Sequence, residues 1–285
     1  MYRKEITRSH RVAFVIAIDQ SSSMYQRLTF LSRQCTKAEA VSIVASRLID
    51  ELIARARRDD DVRNYYDVAV IGYSGDSVYS LLDGSEGFMP ITLLAERRPE
   101  QKLFACECVL PSGEHRILTE KISMWVPPKA GGATPMYEML LRVTEMVERW
   151  SAEPQNRESF PPVVFNITDG EATDATPAMV LRAAENLKAV ATEEGNVLLV
   201  NIHLSSESEV EAMLFPQPGE IAKADEATRR MAEMSSPVPD EMCEVVRDFR
   251  ADGSRPPYIM MGYNASITQA VAMLNIGSRT LIKQR

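Results

Sequence analysis

Three stretches of the chain carry oxygen-bearing side chains in short, closely spaced patterns. Asp19 is followed by Ser21 and Ser23, Thr134 lies in the segment GGATP, and Asp169 lies in the segment TDG. Two carboxylates and three hydroxyls, without histidine or cysteine, form the kind of ligand set that hard cations prefer. The sequence therefore predicts one site for Mg²⁺ or Mn²⁺, with Ca²⁺ as a further candidate.

The predicted strands place these stretches at one edge of a sheet. Residues 12–18 (VAFVIAI) and 163–168 (VVFNIT) are rich in β-branched and apolar residues, which is typical of strands buried on both faces of a parallel sheet. Asp19 and Asp169 follow these strands directly. Because ligands bind at the carboxyl ends of strands in open α/β sheets, we expect the two carboxylates to meet there. The glycines before Thr134 would let a third loop approach closely.

Taken together, the three patterns resemble a known metal site. Asp-x-Ser-x-Ser at 19–23, Gly-Gly-x-Thr-Pro at 131–135 and Thr-Asp-Gly at 168–170 closely resemble the metal-ion-dependent adhesion site of the von Willebrand factor type A family. The resemblance covers about residues 10–205 and, more weakly, the closing strand and helix. It implies a Rossmann-like fold and an intracellular, bacterial-type, stand-alone protein of this family.

The resemblance also implies a role for each site residue. Ser21, Ser23 and Thr134 would contact the metal through their hydroxyl oxygens, while Asp19 and Asp169 would act directly or through bound water. A carboxylate of a partner protein would complete the coordination. The implied function is a metal-dependent protein-binding adaptor or scaffold, not an enzyme. Its partner would present Asp or Glu, and by analogy with intracellular relatives it could belong to an AAA+ ATPase or a kinase/phosphatase system.

The hydrophobic pattern of the whole chain predicts an α/β fold. We expect a mostly parallel central sheet with one antiparallel edge strand, helices on both faces and an inserted β-hairpin. The predicted strands are 12–18, 67–73, 77–82, 102–110, 116–126, 163–168, 196–204 and 257–265. The predicted helices are 37–58 (after a capping box at Thr36 and Glu39), 135–150, Thr176 to Gly195, 207–214, 220–234 and 266–282.

The chain is interpreted as one domain, residues 1–285, with a β-hairpin insertion at about 85–126 and a helical insertion at about 205–257. The stretch between Ser23 and Thr134 is about 40 residues longer than a helix, a hairpin and a connecting helix require. We expect the hairpin to lie close to the predicted metal site, at the rim of the sheet where the strands end, and to influence which partner binds. The alternative is that the hairpin covers the edge of the sheet and prevents it from pairing with strands of other chains.

Composition and charge exclude several classes of partner. Lys and Arg total 32 against 40 for Asp and Glu, so the formal net charge is −8, and no basic block stands out. Nucleic acid and anionic membranes are therefore poor partners. The polar start MYRKEITRSH runs into an apolar stretch too short for a signal peptide or a membrane span, which predicts a cytoplasmic location.

Simpler interpretations exist for each residue. Asp19, Ser21 and Ser23 could form an ordinary strand-end turn, and Thr134 could be the N-cap of a helix beginning at Pro135. Glu171 and Asp174 are interpreted as solvated loop acids, and the three histidines show no metal-like spacing.

The main functional alternative is a metal-dependent hydrolase such as a phosphatase. A phosphatase of the haloacid dehalogenase type would need a second acid two residues after Asp19, where Ser21 stands. No G-x-S-x-G elbow, Walker A loop or G-x-G-x-x-G motif is present either. The sequence therefore favours the binding module over the enzyme.

Overall fold

The computed structural model describes residues 6–30, 33–82, 87–109, 115–204, 211–265, 269–270 and 272–273. Helices and strands alternate along most of this length. The helices are α1 (Lys37–Ala56), α2 (Ile91–Glu96), α3 (Met136–Ala152), α4 (Pro177–Ala189), α5 (Pro218–Ile221), α6 (Glu226–Met234) and α7 (Asp240–Arg250).

The strands fall into a large sheet and several two-stranded hairpins. In chain order they are β1 (Val12–Asp19), β2 (Arg27–Phe30), β3 (Arg33–Thr36), β4 (Arg57–Arg58), β5 (Asp61–Val62), β6 (Tyr66–Ser74), β7 (Ser77–Ser80), β8 (Met89–Pro90), β9 (Gln101–Val109), β10 (His115–Ser123), β11 (Val163–Thr168), β12 (Ala191–Thr192), β13 (Gly195–Asn196), β14 (Leu198–Leu204), β15 (Met213–Leu214) and β16 (Met261–Ala265).

The large sheet has β1 near its centre. In the described part of the chain it contains eight strands in the order β15-β16-β14-β11-β1-β6-β7, with β8 also paired to β6. The pairs from β16 to β6 are all parallel, while β7 and β8 pair antiparallel to β6. The predicted mostly parallel sheet with an antiparallel edge strand is confirmed. The structure adds β15, antiparallel at the opposite edge, which was not predicted.

Both faces of the sheet are covered by helices, as predicted for a continuous apolar strand. Successive residues of β1 belong to two separate cores: Phe14 and Ile16 pack with α1 and α7, whereas Val15 and Ala17 pack with α3 and α4. All eight residues of β1 are buried. This burial fixes the whole strand in the interior, including Asp19 at its carboxyl end.

The start of α1 is defined by local chemistry. Thr36 accepts a hydrogen bond from the backbone N–H of Glu39, and the Glu39 carboxylate accepts one from the backbone N–H of Thr36. This predicted capping box is confirmed. The helix ends at Ala56, two residues before the predicted end, because Arg57 adopts an extended conformation and begins the small β4–β5 hairpin.

The predicted hairpin at 102–126 is present as β9 and β10, paired antiparallel. Its base packs against α1, where the Trp125 indole N–H donates to Asp50 Oδ1 at 2.7 Å and the Ser123 N–H donates to Asp50 Oδ2 at 3.3 Å. Asp50 lies about 20 Å along the helix axis from Lys37, at 1.5 Å per residue. The base is therefore distant from the site end of α1, and residues 110–114, which connect the two strands, lie outside the described residues.

Several predicted elements differ in the structure. The predicted loop before α1 contains the β2–β3 hairpin. The helix from Thr176 ends at Ala189 instead of Gly195, because the chain turns into the β12–β13 hairpin. The described part of the predicted helix 207–214 is not helical, since residues 213–214 pair with β16. The predicted helix 220–234 is divided into α5 and α6 by an Asp225 cap.

Two helices, α2 and α7, were not predicted at all. The final predicted strand is shorter, Met261–Ala265, and most of the predicted helix 266–282 lies outside the described residues. None of the helices in the described residues has both the length and the hydropathy that a bilayer crossing requires.

A chain of buried hydrogen bonds crosses the sheet. The Tyr73 hydroxyl on β6 donates to Asn166 Oδ1 on β11 at 2.7 Å, and Asn166 Nδ2 donates to Asn201 Oδ1 on β14 at 3.0 Å. Asn201 Nδ2 then donates to the hydroxyl of Ser235, at the end of α6, at 3.0 Å. Both asparagines are fully buried, so each depends on its neighbours for hydrogen bonding.

Candidate metal centre

The candidate site lies where β1 and β11 end side by side. The two strands are parallel neighbours, with Ile18 paired to Ile167, so Asp19 and Thr168 come out at the same level of the sheet. The Thr168 hydroxyl donates to Asp19 Oδ2 at 2.7 Å. The predicted meeting of these two strand ends at one rim is therefore present.

Asp19 is a buried carboxylate held by hydrogen bonds at both oxygens. Its side chain accepts from Thr168 at Oδ2 and from the backbone N–H of Ser21 at Oδ1, at 2.9 Å. Burial raises the pKa of Asp19, and the hydrogen bonds from Thr168 and Ser21 act in the opposite direction. An ionised Asp19 is therefore costly in this position, and a nearby cation would reduce that cost.

The two serines connect the β1 loop to the β11 loop. The hydroxyl oxygens of Ser21 and Ser23 are 3.0 Å apart, and the Ser23 hydroxyl donates to Asp169 Oδ1 at 2.5 Å. Two adjacent ligands of an octahedral Mg²⁺ at 2.0–2.1 Å are separated by about 3 Å. The two hydroxyls thus have the separation that one Mg²⁺ requires of neighbouring ligands, with Asp169 hydrogen-bonded behind Ser23.

The Thr134 loop reaches the same rim through its main chain. The Ser22 N–H donates to the Gly132 carbonyl at 3.0 Å, and the Gly131 N–H donates to the Gln20 carbonyl at 2.9 Å. Gly132 has φ of +78°, and a Cβ there would lie 2.7 Å from the backbone of Gly75. Only glycine allows this approach, which brings the Thr134 loop against the β1 loop.

Thr134 is not the N-cap that the simpler interpretation proposed. Helix α3 begins at Met136, Pro135 occupies the N-cap position, and no side chain of that residue caps the helix. The first turn is capped from another loop by Asp174, whose carboxylate oxygens accept from the N–H groups of Tyr137 and Glu138 at 3.1 and 2.9 Å.

Thr173, the neighbour of Asp174, connects the loop after β11 to the loop that carries Thr134. Its hydroxyl accepts from the Thr134 N–H at 2.9 Å, and its own N–H donates to the Thr134 carbonyl at 3.0 Å. Asp174 and Glu171 are both exposed, as the interpretation of solvated loop acids requires, but Asp174 has the additional role of capping α3. Sequence reasoning missed this tie because α3 and its cap are far apart in the chain.

Lys37 is the second residue that sequence reasoning missed. Its ammonium group lies 2.9 Å from Asp169 Oδ2 and donates to Gln26 Oε1 at 2.8 Å. The side chains of Lys37 and Asp169 are 3% and 0% exposed, so this ion pair is shielded from water. The only available signal was a lysine at the first position of a helix, where positive charge is unfavourable.

Four of the five predicted residues thus form one hydrogen-bonded cluster, and Thr134 joins it through the main chain of its loop. Within the described residues, no group of three or more His, Cys, Asp or Glu side chains is arranged to hold a metal ion. Any cation at this rim would therefore depend on hydroxyl oxygens as well as on the two carboxylates. The donor set fits a hard cation, and metal binding by these residues stays a prediction.

A cavity of about 600 Å³ lies beside the cluster. Asp169 and Gly170 form part of its wall, α4 contributes apolar residues, and α6 contributes both charged and apolar residues. The ring of His203, which also lines the cavity, stacks on Tyr263 with 4.5 Å between centroids. Burial lowers the pKa of His203, which favours its neutral form at pH 7.

No protein-family model matches the chain, and no curated protein matches it. Among solved structures, it is similar to a von Willebrand factor type A protein from Catenulispora acidiphila, with 16% identity and a TM-score of 0.42, over 69% of this chain and 34% of that chain. It is similar to the manganese-loaded TRAP protein of Plasmodium vivax, with 15% identity and a TM-score of 0.45, over 97% and 75% of the two chains. The SpRpn10 VWA domain has 12% identity and a TM-score of 0.39, over 70% and 77%.

The chain therefore spans about a third of the length of the Catenulispora acidiphila chain. The similar structures include von Willebrand factor type A domains, the family that the sequence motifs resemble. These identities and TM-scores are too low to indicate a function or a bound metal. A proposal for either has to rest on the geometry of the site.

Proposed function

We propose that the chain is a protein-binding module of the von Willebrand factor type A kind, which captures an acidic side chain of a partner through a divalent cation. The cation would be held at the rim by Asp19, Ser21, Ser23, Thr134 and Asp169. The observation that supports this best is the contact of Ser21 and Ser23 with each other and of Ser23 with Asp169. Loops that are 146 positions apart thereby form a single cluster of oxygen ligands.

Each residue has a distinct task in this proposal. A bound divalent cation would supply an open coordination position for a partner carboxylate. Ser23 donates its proton to Asp169, so a lone pair of its oxygen can face the cation. Asp19 accepts from the Ser21 N–H and thereby fixes the turn that carries both serines. The two carboxylates also supply the negative charge that a divalent ion requires.

We also propose that the site catalyses no reaction. Each oxygen of Asp19 and Asp169 already accepts a hydrogen bond, and in this proposal the lone pairs that remain serve the cation and not proton abstraction from a substrate. The expected result with p-nitrophenyl phosphate and Mn²⁺ is no release of phosphate above the background rate. Turnover that disappears in Asp19→Ala would favour the hydrolase alternative.

Titration calorimetry tests the metal site. Wild-type protein is expected to bind Mg²⁺ or Mn²⁺ at one main site, and Asp19→Ala is expected to lose it because the serine turn and one negative charge are lost. Asp76→Ala removes an equal charge from the exposed β6–β7 turn and serves as the control. Equal binding by folded Asp19→Ala and wild type would contradict the assignment.

Partner capture needs a separate test. In a pull-down, partners are expected to be retained in Mg²⁺ and released in EDTA, and Ser21→Ala/Ser23→Ala is expected to retain none. Ser22→Ala is the matched control, because this exposed serine contributes its backbone N–H to Gly132 and keeps it as alanine. Partners held equally in EDTA would argue against docking through a metal. A cytoplasmic location and an AAA+ ATPase or kinase/phosphatase partner remain predictions.

A further inference from the structure

Lys37 occupies a position that is unfavourable for a lysine in two respects. It is the first residue of the 20-residue helix α1, where the helix dipole presents positive charge. Its side chain is also almost completely buried, which removes the ammonium group from water. An exposed lysine at this helix end would avoid the second cost entirely.

The compensation for both costs comes from the candidate metal site. Lys37 Nζ pairs with Asp169 Oδ2 at 2.9 Å, while Ser23 donates to the other oxygen of the same carboxylate. Gln26 Oε1 accepts a further hydrogen bond from the ammonium group. Asp169 therefore already has a cation beside it, supplied by the chain itself.

We infer that Lys37 is a built-in counter-cation of the metal rim, which stands in for part of the metal's charge and weakens the affinity of the rim for divalent ions. This inference rests on the proposed function. Asp19, Asp169 and Lys37 together carry a formal charge of minus one, compared with minus two for the carboxylates alone. Because of the buried ammonium group, a divalent ion that binds here meets half of the net negative charge that the two carboxylates alone would supply.

Calorimetric titration with Mn²⁺ alone tests this inference. Lys37→Gln removes the charge while keeping a hydrogen-bond donor of similar length, and Lys37→Met also removes the donor. Both are expected to bind Mn²⁺ at least about tenfold more tightly than wild type, because removing one unit charge from the same hydrogen-bonded cluster has about this effect even in a water-like dielectric. Lys37→Arg keeps the charge and is expected to stay close to wild-type affinity.

Lys129→Gln is the control for net charge. Lys129 precedes the Gly131 loop and contacts the ring and hydroxyl of Tyr79, and it belongs to the exposed surface. Its replacement is expected to leave Mn²⁺ affinity almost unchanged. Melting in EDTA provides a second measurement, in which the Lys37→Gln and Lys37→Met proteins are expected to be less stable than wild type and to gain more stability from Mn²⁺.

The possible results separate this inference from the proposed function. If wild type binds Mn²⁺ and folded Lys37→Gln binds it equally or more weakly, Lys37 is only structural and the inference fails. If only the Lys37 variants bind Mn²⁺, the inference stands and the proposed metal function of the wild type fails. If none binds, both fail. A variant that folds only with Mn²⁺ present supports the inference, and variants that stay unfolded with Mn²⁺ overturn it.

Discussion

Asp19 shows how the candidate site is stabilised at the level of single residues. Its carboxylate is fully buried at the end of the central strand and is held by one hydroxyl and one backbone N–H. Hydrogen bonds of this kind offset only part of the cost of burying a charge. An ionised Asp19 in this position therefore lowers the stability of the fold.

Replacing Asp19 with asparagine is expected to stabilise the metal-free protein. Burial raises the pKa of Asp19 above its ordinary value of 3.8, so between that value and the folded-state pKa the folded protein holds more protons than the unfolded chain. The wild type in EDTA therefore loses stability as pH rises through this range, and the Asp19→Asn protein lacks that loss.

Thermal melts at several pH values provide the measurement. At pH 7 in EDTA, Asp19→Asn is expected to raise the melting temperature by about 2–4 °C for each kcal/mol recovered, while the stabilisation by Mn²⁺ disappears. A lower melting temperature at pH 7 would show that the charged form of Asp19 is required for the fold itself.

As a helix cap supplied from another loop, Asp174 is expected to contribute about 1–2 kcal/mol to the free energy of unfolding. Asp174→Ala leaves the N–H groups of Tyr137 and Glu138 without this acceptor and loosens the loop beside Thr134, so both stability and Mn²⁺ affinity should fall. Urea denaturation and calorimetry measure the two effects. Glu171→Ala, which removes an exposed ion pair with Arg230 from the same loop, should stay within about 0.5 kcal/mol of wild type. Equal losses in both variants would contradict the capping role.

At the level of elements, the β9–β10 hairpin combines a buried base with an outer part. Phe104, Ile122 and Val126 are at most 6% exposed and belong to the core around α1. In contrast, Leu103 is 70% exposed. The base of the insertion therefore has one side in the folded core and the other side, which carries Leu103, exposed.

Shortening the hairpin is expected to separate partner binding from folding. Residues 106–118 can be replaced with Asn-Gly, because Ala105 and Thr119 are directly paired and a two-residue turn closes such a hairpin. The shortened protein should keep its melting temperature and Mn²⁺ affinity and lose its partner in the pull-down.

Replacing the whole of 85–126 with a Gly/Ser linker is the contrasting variant. It would remove Ile91, Leu94 and Val126 from the core and is expected to unfold the protein. If the shortened hairpin keeps full partner binding and aggregates instead, the hairpin is a cover for the sheet edge and has no role in recognition.

Elements with a strong local pattern could be predicted from the sequence. The predicted strand at 163–168 has the same bounds as β11. Helix α1 begins at Lys37, directly after the predicted capping box at Thr36. In contrast, α2 has six residues and α7 lies in a polar, methionine-rich region, so neither shows a long apolar period.

The site was predictable to the extent that its residues share a motif. The five oxygen-bearing residues could be identified because each follows a recognisable strand or precedes a helix. Lys37 and Asp174 could not, because their partners are 132 and more than 35 positions away in the chain. Contacts of this kind depend on how helices and loops pack together, which a local pattern does not report.

At the scale of the whole molecule, the buried hydrogen bonds from Tyr73 to Ser235 connect β6, β11 and β14 to α6. A polar chain of this kind in a covered sheet is stable only when each member keeps its partner. Because Asp169 directly follows β11, the network links the strand that supports the candidate site to the helix beside the cavity.

The losses of the two asparagines of this network are expected to be non-additive. The first substitution should lower the free energy of unfolding by more than the second one does when it is added. Asn201→Ala leaves Asn166 Nδ2 without its carbonyl acceptor and should lower the free energy of unfolding by about 1–3 kcal/mol. Adding Asn166→Ala should cost less than it does alone, with a coupling energy of about 0.5–3 kcal/mol in a double-mutant cycle. Additive costs in urea denaturation would show that the two amides act independently.

The order of the strands also has a consequence for synthesis on the ribosome. Central strand β1 pairs on one side with β6 and on the other with β11, and Asp169 follows Ser23 by 146 positions. At about 5–20 residues per second, translation needs about 7–30 s to cover that interval. Throughout it, one edge of a strand with seven consecutive apolar residues, 12–18, has no neighbour in the nascent chain. The half-built sheet therefore exposes an unpaired strand edge during synthesis, which is a risk of aggregation that arises from strand order and not from the chemistry of the site.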